Sequence, residues 1–183
     1  MANRSYLYVQ PEEGKDAYKD FSEWRTEVPL SHLLLVGVDT RVEASSIWVV
    51  DEKIALSGDA KKGLELFVAF LEWLEPKLDD PNFARDKQEA LKMLQSEDYR
   101  GERYHLEVGE LLELGCYSLD EMEAETRYYA DRARRATERV QNLIQDPNAS
   151  LESIDDYDVR RAVEDWQQNL GLYFTTVTYF SLG

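Results

Sequence analysis

One long amphipathic helix, predicted from Ser118 to about Gln145, limits the possible folds of this chain more than any other feature. Ser118 and Glu121 match a capping box, in which the two side chains satisfy free N–H groups at a helix start. Eight apolar or small residues then recur at spacings of three and four, which places them on one face of the helix: Leu119, Met122, Thr126, Tyr129, Ala133, Ala136, Val140 and Leu143. At about 1.5 Å per residue the helix is roughly 40 Å long, whereas a compact chain of 183 residues has a radius of gyration of about 16 Å. The helix therefore either runs the length of the fold or stands out from it at one end.

The remaining pattern predicts an α+β fold in a single domain over residues 1–183. Residues 5–10 alternate like a strand, and residues 172–182 carry large apolar side chains on both faces, as strands inside a sheet do. We expect these two strands to pair, so that a small, mainly antiparallel sheet holds both termini. A second helix, over 59–75, has apolar residues almost all round and is expected to be buried at the centre.

The shorter elements are less sharply defined by pattern. In chain order we predict a loop over 11–20, a short helix over 29–36 that also fits a strand, a hairpin of 47–50 and 54–57, a helix over 81–96 capped by Asp80, and a helix begun by Ser153 and ended by Gly171. Residues 103–115 alternate like a strand in their first half and resemble a buried helical turn in their second. Both interpretations stay open for this segment.

The chain is strongly acidic, with a formal net charge of −16. Binding to nucleic acid or to an anionic membrane needs clustered Lys and Arg, so neither partner is expected. A basic protein is the macromolecular partner that the charge allows, and solubility alone is the competing explanation.

The sequence favours a cytoplasmic protein. Pro11, Glu12 and Glu13 interrupt the N-terminal region before an apolar run builds, so no secretory signal is expected. No stretch approaches the roughly 20 apolar residues of a membrane span. Cys116 is the only cysteine and cannot form an internal disulfide.

Motifs for metals, cofactors and nucleophilic catalysis are missing, and we expect no cofactor and no metal site. His32 and His105 are the only histidines, and two isolated histidines do not make a typical zinc site. His32 lies in an apolar run and is expected to pack in the core. We expect Cys116 to be an unreactive small apolar residue, because Asp120 and Glu121 oppose ionisation of its thiol.

Two carboxylates, Glu110 and Glu113, suggest an alternative enzymatic function. They share a face if their turn is helical, and paired carboxylates perform general acid–base chemistry in many enzymes. Glu110 lies between Val108 and Leu111, where burial would raise its pKa. Nothing else in the sequence supplies a partner base, so a structural role for Glu110 is favoured.

Two acidic clusters indicate a contact surface. Residues 102–125 are rich in acids and contain a single Lys or Arg, which is Arg103. A second acidic cluster follows at Glu152, Asp155, Asp156 and Asp158. If the clusters converge in space, they form a negative face with exposed tyrosines as anchors. The predicted partner-binding residues are Glu110, Glu113, Tyr117, Asp120, Glu121, Glu125, Tyr128, Asp155, Asp156 and Asp158. A metal role for the three aspartates is not expected, because acids at a helix start offset the helix dipole.

The N-terminal quarter of the chain resembles a known family. The opening MANRSYLY, with Ser22-Glu23-Trp24 and Val28-Pro29-Leu30, is similar to a family of uncharacterised bacterial proteins of comparable length, which implies no particular activity. In kind, as a small acidic protein without a catalytic motif, the chain is also similar to immunity proteins of bacterial toxin systems.

This similarity implies that the chain binds a cognate toxin and blocks its basic active site with an acidic face. The alternatives are a ligand-binding or hydrolytic enzyme using carboxylates near Glu110, and a structural subunit of a bacterial assembly that associates through the long helix.

Overall fold

Five strands form one antiparallel sheet in the computed structural model, which describes residues 3–10 and 18–182. In chain order they are β1 (Arg4–Gln10), β2 (Lys19–Arg25), β3 (Arg41–Glu43), β4 (Ala55–Asp59) and β5 (Arg103–Glu107). Their order in space is β2–β1–β5–β4–β3. The central strand β5 therefore joins the β1–β2 pair to the β3–β4 pair.

The two faces of the sheet differ because successive side chains of a strand point to opposite sides. On the apolar face Leu7 of β1 lies opposite Leu106 of β5, and both are fully buried. On the polar face Tyr8 lies opposite His105, which in turn lies opposite Ser57 of β4. All three polar side chains are also buried, so segments outside the sheet must cover this face.

Seven helices accompany the sheet in the described part of the chain. They are α1 (Leu30–Leu35), α2 (Ala60–Leu78), α3 (Pro81–Leu94), α4 (Gly109–Leu112), α5 (Leu119–Gln145), α6 (Tyr157–Glu164) and α7 (Trp166–Asn169), with 3₁₀ turns at Glu97–Tyr99 and Leu151–Ser153. Helices α2 and α5 contact the sheet, and α1 contacts both of them. The α+β class, the antiparallel sheet and the long helix are thus confirmed.

Helix α2 forms where the sequence predicts it but has one solvent-facing side. Phe67, Phe70 and Leu71 are fully buried, whereas Lys61 and Glu65 are exposed. The helix therefore packs in the core as predicted, although several of its apolar residues are only partly covered. The helix also continues past the predicted end, to Leu78.

Helix α5 packs against the rest of the fold along most of its length. Ser118 Oγ caps it by accepting a hydrogen bond from the Glu121 backbone N–H at 3.2 Å. Buried side chains recur from Met122 to Leu143, so the helix does not stand out from the fold over this stretch. A neighbouring segment approaches the helix closely: a Cβ on Gly37, just after α1, would lie 1.9 Å from Thr137 Oγ1 and 2.8 Å from the Ala133 carbonyl oxygen.

His32 in α1 links three separate parts of the chain. Its Nδ1 lies 3.2 Å from Ser5 Oγ in β1, and its Nε2 lies 2.8 Å from Ser22 Oγ in β2. The two hydroxyls also reach backbone carbonyl oxygens: Ser22 Oγ lies 2.8 Å from that of Tyr173, and Ser5 Oγ lies 3.2 Å from that of Glu27. Complete burial lowers the pKa of His32 to about 3. The prediction that His32 packs in the core is confirmed.

The predicted hairpin of 47–50 with 54–57 is wrong in its first strand. Strand β4 pairs instead with β3, and residues 44–54 cross the polar face between them. Glu107 holds this crossing segment by accepting hydrogen bonds from Ser45 Oγ at 2.7 Å and from the Ser46 N–H at 2.5 Å. Residues 103–115 satisfy both interpretations in turn, as β5 followed by α4. Of the predicted loop over 11–20, residues 11–17 lie outside the described residues, and Lys19 already belongs to β2.

The C-terminal segment, 172–182, is not a strand, so that prediction is also wrong. Its Thr175 N–H donates to the backbone oxygen of Phe21 at 2.9 Å. The Asp20 carboxylate then accepts from the N–H groups of Thr178 and Leu182. Side-chain acceptors of β2 thus replace a backbone ladder, and both ends of the described chain still meet at the sheet.

The predicted cap of the preceding helix is wrong as well. Asp156, not Ser153, caps α6, by accepting from the N–H groups of Asp158 and Val159. Ser153 lies in a 3₁₀ turn instead. Gly171 follows α7 at a φ of +77°, a conformation that glycine adopts readily.

Candidate protein-binding site

The connection from α4 to α5 and the first turns of α5 form an exposed segment, which we call the acidic tip (residues 113–125). Leu112 O accepts hydrogen bonds from the N–H groups of Gly115 and Cys116, so the chain turns sharply after α4. The Glu121 carboxylate then accepts from the Tyr117 N–H at 2.6 Å. Together with the Ser118 cap, these bonds fix the backbone of the tip.

Large apolar side chains at the tip point into solvent. Tyr117 is 97% exposed and Leu114 is 71% exposed, and Leu119 is also exposed. The tip is nevertheless anchored in the core, because Leu112 before it and Met122 within it are buried. A firmly held backbone that presents exposed apolar groups is typical of a contact surface.

Four exposed carboxylates belong to the same segment as these apolar groups. Glu113, Asp120, Glu121 and Glu125 are all exposed, and none forms an ion pair with a residue of the described chain. A fifth acid, Glu123, is neutralised by Arg127 one turn further along α5. The tip therefore carries four uncompensated negative charges.

The pKa of the Cys116 thiol is affected by the negative charges of the acidic tip. Partial burial raises the pKa of its thiol, and the charges of Glu125 and Glu121 raise it further. The thiol is thus protonated at neutral pH, which agrees with the unreactive cysteine expected from the sequence.

Glu110 lies at the base of the tip and faces inward. Its Oε2 accepts hydrogen bonds from the Arg4 N–H and from the Tyr6 hydroxyl, both at 3.0 Å. Glu113, three residues on, is exposed instead. The two carboxylates that suggested acid–base chemistry therefore occupy different environments, and Glu110 joins α4 to β1.

The second predicted acidic cluster lies elsewhere, between α5 and α6. Arg132 binds the Asp158 carboxylate through two nitrogens at 2.6 and 3.1 Å, and Arg139 lies 3.5 Å from Asp155. Asp156 is the cap of α6. Helical rise places Arg132 roughly 16–17 Å along α5 from Glu121. The two clusters therefore do not form one continuous negative face.

Tyr128 lies between these two regions. It is 49% exposed and lines the same groove as Arg132, and the guanidinium carbon of Arg135 is 5.9 Å from its ring centroid. Tyr128 thus faces a mixed surface of arginines and aspartates, unlike Tyr117. Of the ten predicted residues, the acidic tip brings together five: Glu113, Tyr117, Asp120, Glu121 and Glu125.

A buried ionic cluster on the polar face of the sheet escaped prediction. His105 Nε2 lies 2.8 Å from Glu107 Oε1, and its Nδ1 lies 3.7 Å from Glu43 Oε2. Burial alone would lower the pKa of His105, but hydrogen bonding and charge from Glu107 and Glu43 outweigh it and raise the pKa. The alternation of Arg103, His105 and Glu107 along β5 was the available sequence signal, since it puts three ionisable groups on one face.

This cluster does not have the geometry of a nucleophilic site. Ser46 Oγ lies 3.5 Å from His105 Nε2, but Glu107 already occupies that nitrogen at the shorter distance. A base that activates a serine needs a nitrogen free to take its proton. His105 and Glu107 are each 1% exposed. The cluster instead holds the crossing segment 44–54 against the sheet.

Two further classes of site receive no support from the described residues. Within residues 3–10 and 18–182 no group of three His, Cys, Asp or Glu side chains could hold a metal ion. In the same part of the chain no helix combines the length and apolar character needed to cross a bilayer.

Comparison with known proteins gives a family but no activity. A search of curated proteins and a search of solved structures each found no match. A family model described as a domain of unknown function matches residues 7–153, which include the whole acidic tip and leave out α6, α7 and the C-terminal segment. Because this match spans well over half of the sequence, the chain belongs to the DUF7822 family.

Proposed function

We propose that this chain is a non-enzymatic binding protein that docks its acidic tip onto a basic protein. The observation that carries the proposal is that one short segment combines two exposed apolar side chains, Leu114 and Tyr117, with four exposed carboxylates that form no ion pair within the described chain. Protruding tyrosines are frequent energetic anchors of interfaces. Surrounding charge accelerates encounter with an oppositely charged surface and orients the approach.

The rigid backbone of the tip supports a blocking function. Its conformation is fixed before binding by the Ser118 cap and the Glu121 hydrogen bond, so little entropy is lost on association. A preformed acidic surface with exposed apolar side chains fits a basic site on a partner. We propose that the partner is a bacterial toxin whose basic active site the tip occludes, as in the immunity proteins to which the chain is similar in kind.

The two alternative functions are less well supported. The Glu110 carboxylate accepts hydrogen bonds from the Arg4 N–H and the Tyr6 hydroxyl inside the fold, which disfavours an acid–base role. Self-association through α5 would need a free apolar face, but the stripe of α5 from Met122 to Leu143 is buried within the chain itself.

A pull-down from the native host tests the proposal with the full chain as bait. We expect one basic protein to be captured at about 50 mM salt and largely lost at about 1 M, because exposed charges are screened at high ionic strength. The Tyr117→Ala variant should lower its affinity by at least about tenfold, the range of interface anchors.

Charge-reversal variants distinguish a specific effect of the acidic tip from an effect of the overall net charge of the chain. The double variant Glu121→Lys with Glu125→Lys should abolish capture at low salt. The matched control, Glu138→Lys with Glu164→Lys, makes the same change in net charge at exposed helical positions outside the tip. Equal losses in the two double variants would reduce the tip to a general charge effect, and full capture by the tip variant would refute the proposal.

A further inference from the structure

A groove on another side of the molecule lies between the first turns of α2, the end of α3 and the start of β5. Its volume is about 580 Å³, which is within the range of small-molecule sites. Leu64, Leu94 and Tyr99 supply apolar walls, and Tyr104 also lines it. No part of the acidic tip lines this groove.

Tyr104 is the most unusual residue of the groove. It is 1% exposed, and its ring stacks on that of Phe21 with centroids 5.4 Å apart. Its hydroxyl makes no hydrogen bond to any residue of the described chain, and burial is the cause that raises its pKa. Its oxygen is not among the fully buried atoms without a partner, so it is open to the groove that Tyr104 lines. A neutral hydroxyl held without a partner beside a groove is therefore a donor available to a ligand.

The charged residues that line the groove indicate which charge the ligand would carry. Lys61 and Arg100 line it together with one acid, Glu65. Arg100 has a distant partner in Glu97 at 3.7 Å, with both side chains largely exposed, and Lys61 has no ion pair within the described residues. Lys61 is thus a cation beside the groove without a paired acid among the described residues, in a chain of net charge −16.

We propose that this groove binds a small apolar carboxylic acid in its ionised form. The hydrocarbon part packs on Leu64, Leu94 and Tyr99. The carboxylate accepts a hydrogen bond from the Tyr104 hydroxyl and is attracted by Lys61 and Arg100. The site is independent of the proposed partner surface, so either proposal can stand without the other.

Calorimetric titration of the full chain with octanoate tests the site, with octan-1-ol as the neutral probe of the same length. We expect saturable binding of octanoate and at least about tenfold weaker binding of octanol. Tyr104→Phe removes only the hydroxyl and should weaken octanoate binding by about tenfold or more, because hydrogen bonds to charged groups are the stronger class. Lys61→Glu should weaken it by about fivefold, as expected for an exposed charge.

The neighbouring lysine is the matched control. Lys62 does not line the groove and lies 3.9 Å from Asp59, so Lys62→Glu should leave octanoate binding unchanged. The melting temperature of Tyr104→Phe should equal or exceed that of the parent, because an unpartnered hydroxyl contributes no internal bond. A lower melting temperature would reveal an internal partner and overturn the assignment. So would equal affinity of Tyr104→Phe for octanoate, equal affinity of the parent for octanol, or no saturable binding.

Discussion

The buried histidine of α1 makes the stability of this fold depend on pH in a defined direction. In the folded chain the pKa of His32 is about 3, whereas an unperturbed histidine has a pKa of about 6.5. Below pH 6.5 the unfolded chain therefore gains a proton that the folded chain does not bind. The stability that neutral His32 contributes is fully present above that pH and is lost as the pH falls towards 3.

The size of the effect follows from these two pKa values. Each pH unit between them costs about 1.4 kcal/mol, so the free energy of unfolding should be about 2 kcal/mol lower at pH 5 than at pH 7 from this group alone. His105 acts in the opposite sense. Its pKa is raised, so its contribution is present below the unfolded pKa and is lost as the pH rises.

Urea unfolding of the parent and of His32→Gln, followed by tryptophan fluorescence at pH 7 and pH 5, measures how much His32 contributes to the pH dependence of the free energy of unfolding. His32→Gln should be the less stable protein at pH 7, because the Ser5 and Ser22 hydroxyls lose their partner. The gap between the two proteins should shrink by about 2 kcal/mol at pH 5. With His105→Gln as control, the gap to the parent should widen as the pH falls. A constant gap for His32→Gln, or an NMR titration of His32 near pH 6.5, would refute the reasoning.

Two further predictions concern the acidic residues. Asp158→Asn should lower the free energy of unfolding by about 2 kcal/mol in urea denaturation, because the half-buried Arg132 is left without its carboxylate; an unchanged midpoint would show that this pair contributes nothing. The Cys116 thiol should react more slowly with a disulfide reagent at pH 8 than a free cysteine does. Replacing Glu121 and Glu125 with glutamine should accelerate the reaction by lowering the pKa of the thiol, and equal rates would contradict the assigned field.

Sequence patterns predicted the elements whose signals are local. Helix α5 has a capping residue and a stripe of apolar and small residues, and it is long enough for these two signals to be recognised together. The first strand and the helix after Asp80 likewise have periodicity or capping residues within a few positions of each other. Such signals need no knowledge of what the element packs against.

The errors come from partners that are distant in sequence. Residues 172–182 have strand-like alternation, but some of their N–H groups donate to the Asp20 and Glu23 carboxylates instead of to the backbone of a neighbouring strand. The true partner of β4 is β3, which at three residues is too short to have a clear periodicity. Local pattern cannot reveal either arrangement.

The same limit applies to the candidate site. Charge density alone located the acidic tip, because its acids and its tyrosine are adjacent in sequence. It also suggested Asp155 and Asp158, and missed that Arg139 and Arg132 of α5 neutralise them across a helix interface. The Tyr104 hydroxyl could not be predicted at all, because its isolation depends on the packing of β5 against α2 and α3.

The central position of β5 has a consequence for how the chain acquires its structure during synthesis. The β1–β2 and β3–β4 pairs lie within the first 59 residues, but the strand that joins them ends at residue 107, which is 48 residues later. At roughly 5–20 residues per second, the ribosome needs about 2–10 s to make that stretch. Throughout this interval one edge of β1 and one edge of β4 are unpaired, and open strand edges invite pairing with other chains. We therefore expect the sheet to close only in a late, long-range step after β5 is made, with the open edges exposed to misassociation until then.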